Sequence, residues 1–398
     1  MTVPDLDLLL DAETLRLIDE LGPIASTADA TAALSRLRRT GVEPARAATA
    51  LTQARLRARA AAKFGEFAAR MLFTEHGLQQ ATRLGVAARH AARYRDAGLQ
   101  VVADLGCGIG GDALALAGLG LAVRAIERDP VTAAIAAYNL AAFEGVEVVV
   151  GSAQDADLTA VDGVWLDPAR RDGARRLSDP GDWSPSLDLA FGLDLPTGVK
   201  LGPGIDRGLI PEGWEAQWVS DGGEVVELAV WSGPLARPGI GRAALVLTPG
   251  GAHELTAADD ARDVGVGEVG EYLVEPDGAV IRARLIGDLA RALSPTARML
   301  HPTIAYIALD EAPQTPFGSA FHVLDVLPLD AKAVRRAIAE RGATSVEIKK
   351  RGVDIEPEAF RRQLKLRPEA GQTPRELTVI LTRVGDRRRA IVAERLAR

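Results

Sequence analysis

An apolar run from Val101 carries one carboxylate, Asp104, and opens at Leu105 into Gly106, Gly108, Gly110 and Gly111. Ala113 to Ala117 then reads as the start of a helix. Glycines at a strand-to-helix junction let bare backbone N–H groups come close to a ligand. Dinucleotide-binding folds use the same device, so the turn alone points to a nucleotide-like ligand and not to a reaction. A second apolar run, Leu121 to Ile126, ends in Glu127, about 20 residues past the glycines, where an acid can hold ribose hydroxyls. A third, Val146 to Val150, ends in Gly151-Ser152-Ala153-Gln154-Asp155. A fourth, Gly163 to Leu166, ends in Asp167-Pro168-Ala169-Arg170-Arg171.

The elements that must hold these residues follow a rhythm of strand, turn and helix from 99 to about 248, which predicts a doubly wound α/β sheet. Its later strands are expected at Gly198–Leu201, Glu215–Val219, Glu224–Trp231 and Ala243–Leu247. The Asp-, Gly-, Pro- and Ser-rich stretch 172–196 reads as a long loop beyond the fourth strand, where substrate mouths commonly form. Residues 5–95 read as helices, clearest from Pro44 to Ala69, with a break expected at His76-Gly77 and a further helix from Leu78 to Tyr94. Residues 249–278 read as a connector with an ordered turn at Tyr272–Ile281. The tail from about 320 alternates again: strand Phe321–Leu327, helix Ala331–Arg341, strand Ser345–Lys350, helix Glu356–Leu366 and strand Leu377–Arg383. The expected domains are an N-terminal helical region over 1–97, a catalytic α/β domain over 98–248, a connector over 249–319 and a small basic α/β domain over 320–398.

The chain has 398 residues, one cysteine and five histidines without metal-ligand spacing, so neither a disulfide framework nor a metal site is expected. No apolar run approaches the roughly 18 residues of a membrane span, and the N-terminus lacks a basic-then-apolar signal pattern, which predicts a cytoplasmic protein with no membrane partner. Net charge is −7, but it is segregated: residues 31–95 carry +10 and 331–398 carry +9, against −6 over 1–30 and −20 over 96–330. Two basic flanks around an acidic middle suit a polyanion such as RNA. Arginine outnumbers lysine 41 to 6, and arginines also simply solvate helix faces.

The four strand ends, in this order, resemble the class I S-adenosylmethionine (SAM)-dependent methyltransferases over roughly residues 98–230. The tail, with Glu347 to Asp354, looks like the THUMP-like domain at the C-terminus of a group of bacterial SAM-dependent methyltransferases. The segment Gln79 to Thr82 and Asp167 to Arg170 fit that group too. The fold class is thus α/β: a class I, Rossmann-like sheet with an N-terminal helical region and a small THUMP-like domain. True THUMP domains bind RNA, so the resemblance implies tRNA or rRNA as substrate.

The resemblance implies SAM as cofactor, with Asp104 taking its ammonium, Gly106, Gly108 and Gly110 bringing backbone close, and Glu127 accepting from the ribose hydroxyls. Ser152 and Ala153 backbone and Asp155 are the candidates for adenine. Asp129 reads as the cap of a helix beginning near Pro130. Asp167 to Arg170 stands where amino-methyltransferases of nucleic acids carry an Asp/Asn-Pro-Pro-aromatic motif, whose oxygen accepts from the target nitrogen. Arg170 replaces the aromatic residue. A similar Asp-Pro-Ala-Arg occurs in uridine C5 methyltransferases, but these need a further cysteine nucleophile, and Cys107 is the only cysteine. Methylation of a base nitrogen, guanine favoured, therefore leads, with Asp167 as acceptor or base and Arg170 or Arg171 on phosphate or a base carbonyl. Lys200 ends another strand on the same rim and is a candidate for substrate phosphate. Gln80 and Thr82 are candidates for cofactor or substrate, and Lys349, Lys350 and Arg351 for RNA. The alternatives are a small-molecule or protein acceptor, or a non-catalytic SAM-binding RNA protein.

Overall fold

The structure is a computed structural model and describes residues 5–168, 171–172, 175–176, 183, 185–366 and 373–396. The chain divides into two compact units. The first runs through Leu201 and takes in Arg207–Trp214 and Ala229–Arg237; the second holds Gly202–Asp206, Glu215–Leu228 and everything from Pro238.

The first unit begins with helices α1 (Leu6–Leu10), α2 (Ala12–Leu21), α3 (Thr27–Arg39) and α4 (Pro44–Phe64). Their starts are written in side chains that take the orphan amides of a first turn: Asp5, Asp11, Ser26, and Glu43 with Pro44 at the next position. A short 3-10 helix, Gly65–Arg70, follows α4. Helices α5 (Glu75–Gln80) and α6 (Leu84–Asp96) complete the region. The break expected at His76-Gly77 instead falls after Gln80. Thr74 caps α5 by accepting from the Gly77 amide at 2.9 Å, so the helix is nucleated ahead of the glycine and runs through it.

Five parallel strands then form the sheet of this unit: β1 (Val101–Leu105), β2 (Ala122–Glu127), β3 (Val146–Val150), β4 (Gly163–Leu166) and β5 (Thr197–Leu201). Their order is β5-β4-β1-β2-β3, with α7 (Gly111–Gly118) and α8 (Pro130–Leu140) as crossovers. Asp129 caps α8 by accepting from the Thr132 amide. The chain moves outward from β1 through β2 to β3, then returns to β4 on the other side of β1. Ligands of such sheets bind at the carboxyl ends of the strands where the order reverses, here between β1 and β4. Helices and strands share one core, including Phe64, Phe73, Leu78, Tyr94, Val102 and Trp165. The short helix α9 (Leu187–Phe191) precedes β5, and a two-residue ladder pairs Arg171–Asp172 with Arg175–Arg176.

Tyr94 of α6 reaches into this sheet. Its hydroxyl donates to the Val164 carbonyl at 2.6 Å and accepts from the Gly198 amide at 3.1 Å, bridging β4 and β5. Gly198 is obligatory there, since a Cβ would lie 2.6 Å from both the Trp231 ring and the Tyr94 hydroxyl and 2.8 Å from Trp165.

In the second unit β6 (Glu215–Asp221) pairs in parallel with β8 (Arg242–Thr248), which pairs antiparallel with β9 (Gly251–Ala257). Strand β7 (Glu224–Trp231) spans both units. The stretch read as a connector therefore carries β9, and beyond it β10 (Tyr272–Pro276), α10 (Gly278–Arg282), α11 (Ile286–Leu293), β11 (Arg298–His301) and β12 (Ile304–Leu309). The tail adds β13 (Gly318–Pro328), α12 (Ala331–Glu340), β14 (Ser345–Lys350), α13 (Pro357–Leu364), β15 (Glu376–Val384) and β16 (Arg387–Arg395). These strands form a sheet in the order β11-β12-β10-β13-β16-β15-β14. Burial of Val334, Ile338, Phe360 and Leu364 against Val379, Leu381 and Val392 seats α12 and α13 in the core of the tail.

Candidate active site

Asp104 sits one residue before the end of β1 and is 1 % exposed. The Ala113 amide of α7 hydrogen-bonds its carboxylate, but Oδ2 has no hydrogen-bond partner among the described residues. A buried carboxylate oxygen without a donor costs free energy, about 1–3 kcal/mol or more, unless a ligand supplies one. Burial, then the charges of Asp112, Asp167 and Glu127, push the Asp104 carboxyl well above the usual range. Four carboxylates converging on one end of the sheet make a place for a cationic group.

The turn beyond Asp104 is shaped to leave that place open. Gly106 holds φ +90°, a left-handed conformation that side chains disfavour, and the position where its Cβ would stand is 3.9 Å from the Asp167 carbonyl oxygen. Gly108 and Gly110 also have positive φ, and Gly110 begins α7 without a side-chain cap. Glu127, at the end of β2, braces the turn: Oε2 accepts from the Gly108 amide at 3.0 Å and Oε1 from the Asp129 amide at 2.9 Å. An ionised carboxylate has about four acceptor positions, so two remain for hydroxyls.

Cys107 lies inside the turn, buried. Burial and the carboxylates of Asp104 and Glu127 push its thiol well up, the reverse of what a nucleophile needs.

Beyond β3, Ser152 caps the single turn Ala153–Asp155, and Asp155 is exposed. Beyond β4, Asp167 is partly buried, and Lys200 of the neighbouring strand β5 donates to its Oδ2 at 2.6 Å. Lys200 also donates to Thr82 Oγ1 at 3.0 Å and approaches the Gln80 carbonyl at 3.5 Å. The Gln80 side chain is exposed, whereas Thr82 is buried. Lys63, from the last turn of α4, donates to the carbonyls of Leu78, Gln79 and Ala81 and so pins the segment that carries Gln80 and Thr82. Burial, with the positive charges of Lys200 and Arg83 close by, brings Lys63 down to about 8.

The structure thus brings Asp104, Gly106, Gly108, Gly110, Glu127, Asp167, Lys200 and the Gln80 backbone to one end of the first unit's sheet. Ser152, Ala153 and Asp155 lie on the loop after β3. Arg170 lies outside the described residues, and of Arg171 only the backbone is described. Lys349, Lys350 and Arg351 belong to the second unit, where Lys349 and Arg351 pair with Glu275 at 2.8 and 3.7 Å and Lys350 is exposed. Among the described residues, no group of three or more His, Cys, Asp or Glu is arranged to hold a metal ion, and no helix is long and apolar enough to cross a membrane.

Two residues of this region, Asp112 and His90, were not singled out by sequence reasoning. Asp112, in the first turn of α7, accepts from Thr82 Oγ1 at 2.7 Å, and its Oδ1 lies 3.0 Å from His90 Nδ1. Burial raises the Asp112 carboxyl, but the bonds and charges of His90, Lys200 and Thr82 outweigh it and leave the group below its ordinary value. His90 lies against Trp165, ring centroids 4.3 Å apart. The adjacency of Asp112 to Gly110 and Gly111 was the available signal for it. His90, alone in an arginine-rich helix, offered none.

The chain is 39 % identical over 345 residues to an uncharacterized S-adenosylmethionine-dependent methyltransferase of Mycobacterium tuberculosis, found in strains CDC 1551 / Oshkosh and H37Rv; the match spans 83 % of this chain and 91 % of that protein. It belongs to the SAM-dependent methyltransferases. The tail of this methyltransferase, residues 318–395, matches the family described as THUMP domain-like, and residues 2–60 match a domain of unknown function. A solved "putative methyltransferase" from Porphyromonas gingivalis W83 shares its fold, with a TM-score of 0.73 at 21 % identity over 98 % of this chain and 99 % of that one. The cofactor is SAM. The residues present fit it, because a molecule carrying both an ammonium and a sulfonium suits the buried, donor-less oxygen of Asp104 and the carboxylates around it.

Proposed function

We propose that this methyltransferase modifies a base nitrogen, guanine favoured, in structured RNA, tRNA or rRNA. One observation carries the reading: the Asp167–Lys200 pair stands beside the glycine turn, an acceptor and a donor side by side at the mouth. The pairing edge of guanine presents the complementary set, N–H donors next to the O6 acceptor, and an unstacked base is read on that edge. Asp167, as an ionised carboxylate, accepts only, which aims the nitrogen lone pair at the methyl group. SAM supplies the electrophilic methyl. In this reading Asp104 and Glu127 hold the cofactor, Ser152, Ala153 and Asp155 serve its adenine, and Arg170 and Arg171 meet phosphate or a base carbonyl.

The charge pattern supports an RNA partner. Arg55, Arg70 and Arg89 are exposed in the basic N-terminal segment, although Arg46, Arg57 and Arg59 there pair with acids. In the tail, Lys332, Arg335, Arg336 and Lys365 line a groove between α12 and α13. Lys350, Arg387 and Arg388 are exposed. Such cations contact backbone phosphate and position the substrate without reading its sequence. The test is transfer of a labelled methyl from SAM to the RNA, protein and small-molecule fractions of a strain lacking the protein. Label in RNA, falling steeply with added salt, is expected; label confined to protein or small molecules would refute the proposal.

A further inference from the structure

Resting on the reading of Asp167 above, we infer that Thr82 is a positioning residue for the reaction, acting through Lys200. Five side chains form one continuous hydrogen-bonded line behind the mouth. His90 Nδ1 meets Asp112 Oδ1 at 3.0 Å, Thr82 Oγ1 donates to Asp112 Oδ2 at 2.7 Å, and Lys200 Nζ donates to Thr82 at 3.0 Å and to Asp167 Oδ2 at 2.6 Å.

The direction of each bond is fixed by chemistry. An ionised Asp112 only accepts, so His90 and Thr82 must both donate to it. A hydroxyl has one proton. Thr82 spends it on Asp112 and can offer Lys200 only a lone pair. Lys200 has three protons and no acceptor. Its ammonium is therefore held between Thr82 and Asp167 in one orientation, with the backbone register of Leu166 opposite Val199 setting the distance between their strands.

Rigidity comes from the elements behind. Asp112 is fixed in the first turn of α7, directly after the glycine turn. His90 is packed against Trp165 and Trp231, with centroids 4.3 and 5.8 Å away. Lys63 fastens the carbonyls on either side of Gln80, so the Thr82 segment cannot drift. Thr82 is itself 6 % exposed and contributes no open surface for a substrate, which distinguishes its role from that of Asp167. Without the hydroxyl, the Lys200 ammonium loses the acceptor that holds it on the side away from Asp167, and the two shift together. A displacement of about 1 Å at a reacting group can cost on the order of 100-fold in rate.

The test uses the full chain, SAM, and total RNA from a strain lacking the protein. For Thr82→Val the single-turnover methyl-transfer rate, measured well below the melting temperature, falls roughly 10- to 100-fold, while SAM affinity stays near wild type. The melting temperature falls, because the buried Asp112 Oδ2 loses its donor. Thr82→Ser, which keeps the hydroxyl, restores the rate. Should the valine variant melt too low to assay, Thr82→Ala, which leaves room for water, is expected to show the same rate loss. A merely structural threonine would lower the melting temperature and leave the transfer rate of the folded protein at the wild-type value. If Thr82→Val and Thr82→Ala transfer at the wild-type rate while Asp167→Ala is inactive, the positioning role is wrong and the reading of Asp167 stands. If Asp167→Ala also transfers normally, that reading fails and the inference falls with it.

Discussion

Lys200 reaches from the end of β5 to within 2.6 Å of the Asp167 carboxylate at the end of β4. The two strands are hydrogen-bonded neighbours with Leu166 opposite Val199, so the sheet itself delivers the pair to the rim. The sequence suggested a phosphate contact for Lys200. Its ammonium bonds Asp167 and Thr82, so whatever it offers a substrate, phosphate or base oxygen, it offers from a fixed position beside the acceptor. Lys200→Met should lower methyl transfer roughly 10- to 100-fold with SAM affinity retained, measured by single-turnover transfer beside equilibrium SAM binding.

Asp104 should couple cofactor binding to pH. Its carboxyl lies well above the ordinary value of 3.8 in the free protein, from burial first and neighbouring carboxylates second. A group whose folded pKa is raised stabilises the fold fully below its unfolded pKa, and loses that contribution as pH rises through the folded value. In the proposed role of Asp104, pairing with the SAM ammonium favours the charged form, so binding releases a proton and tightens as pH rises through the same window. Calorimetry in buffers of different ionisation enthalpy reads the proton directly. Asp104→Asn should weaken SAM binding by roughly 2–5 kcal/mol, abolish the proton release and raise the melting temperature of the free protein at neutral pH.

Tyr94→Phe removes the hydroxyl that bridges the Val164 carbonyl and the Gly198 amide, leaving buried backbone groups without it. A loss of about 1–3 kcal/mol is expected by chemical denaturation. Gly198→Ala should cost more, because its methyl would meet the Trp231 and Trp165 rings and the Tyr94 hydroxyl at 2.6–2.8 Å.

In the tail, adjacent lysines should behave differently. Lys349 pairs with Glu275 at 2.8 Å and with Glu347 at 3.6 Å, whereas Lys350 is exposed. Lys350→Ala should weaken RNA binding and lower the slope of log affinity against log salt by up to about one. Lys349→Ala should leave that slope nearly unchanged and reduce stability, since Glu275 keeps only longer contacts, with the Tyr306 hydroxyl at 3.4 Å and Arg351 at 3.7 Å. Filter binding across salt concentrations, with thermal melts alongside, separates the two.

Much of this was written locally in the chain. Apolar runs that end in a carboxylate mark β1, β2 and β4, and Glu224–Trp231 and Ser345–Lys350 form strands with the bounds their patterns predict. What the sequence hid depends on partners far along the chain. Gly251–Ala257 has no clean alternation and becomes a strand because β8 lies against it. Arg387–Arg389 looks like a solvated charge run, yet it opens β16, whose Ala390–Ala393 are fully buried. His90 and Asp112 are 22 residues apart and meet only because α6 packs on α7.

The central claim is that Asp167 presents a base nitrogen to the methyl of SAM. It is tested most directly by incubating total RNA from a strain lacking the protein with labelled SAM and either the wild-type enzyme or Asp167→Ala, then digesting the RNA for nucleoside mass spectrometry. The account predicts label in one N-methylated nucleoside, guanosine-derived, with wild type and none with the variant, which still binds SAM. Unchanged labelling by Asp167→Ala, or label on carbon or ribose oxygen, would contradict it.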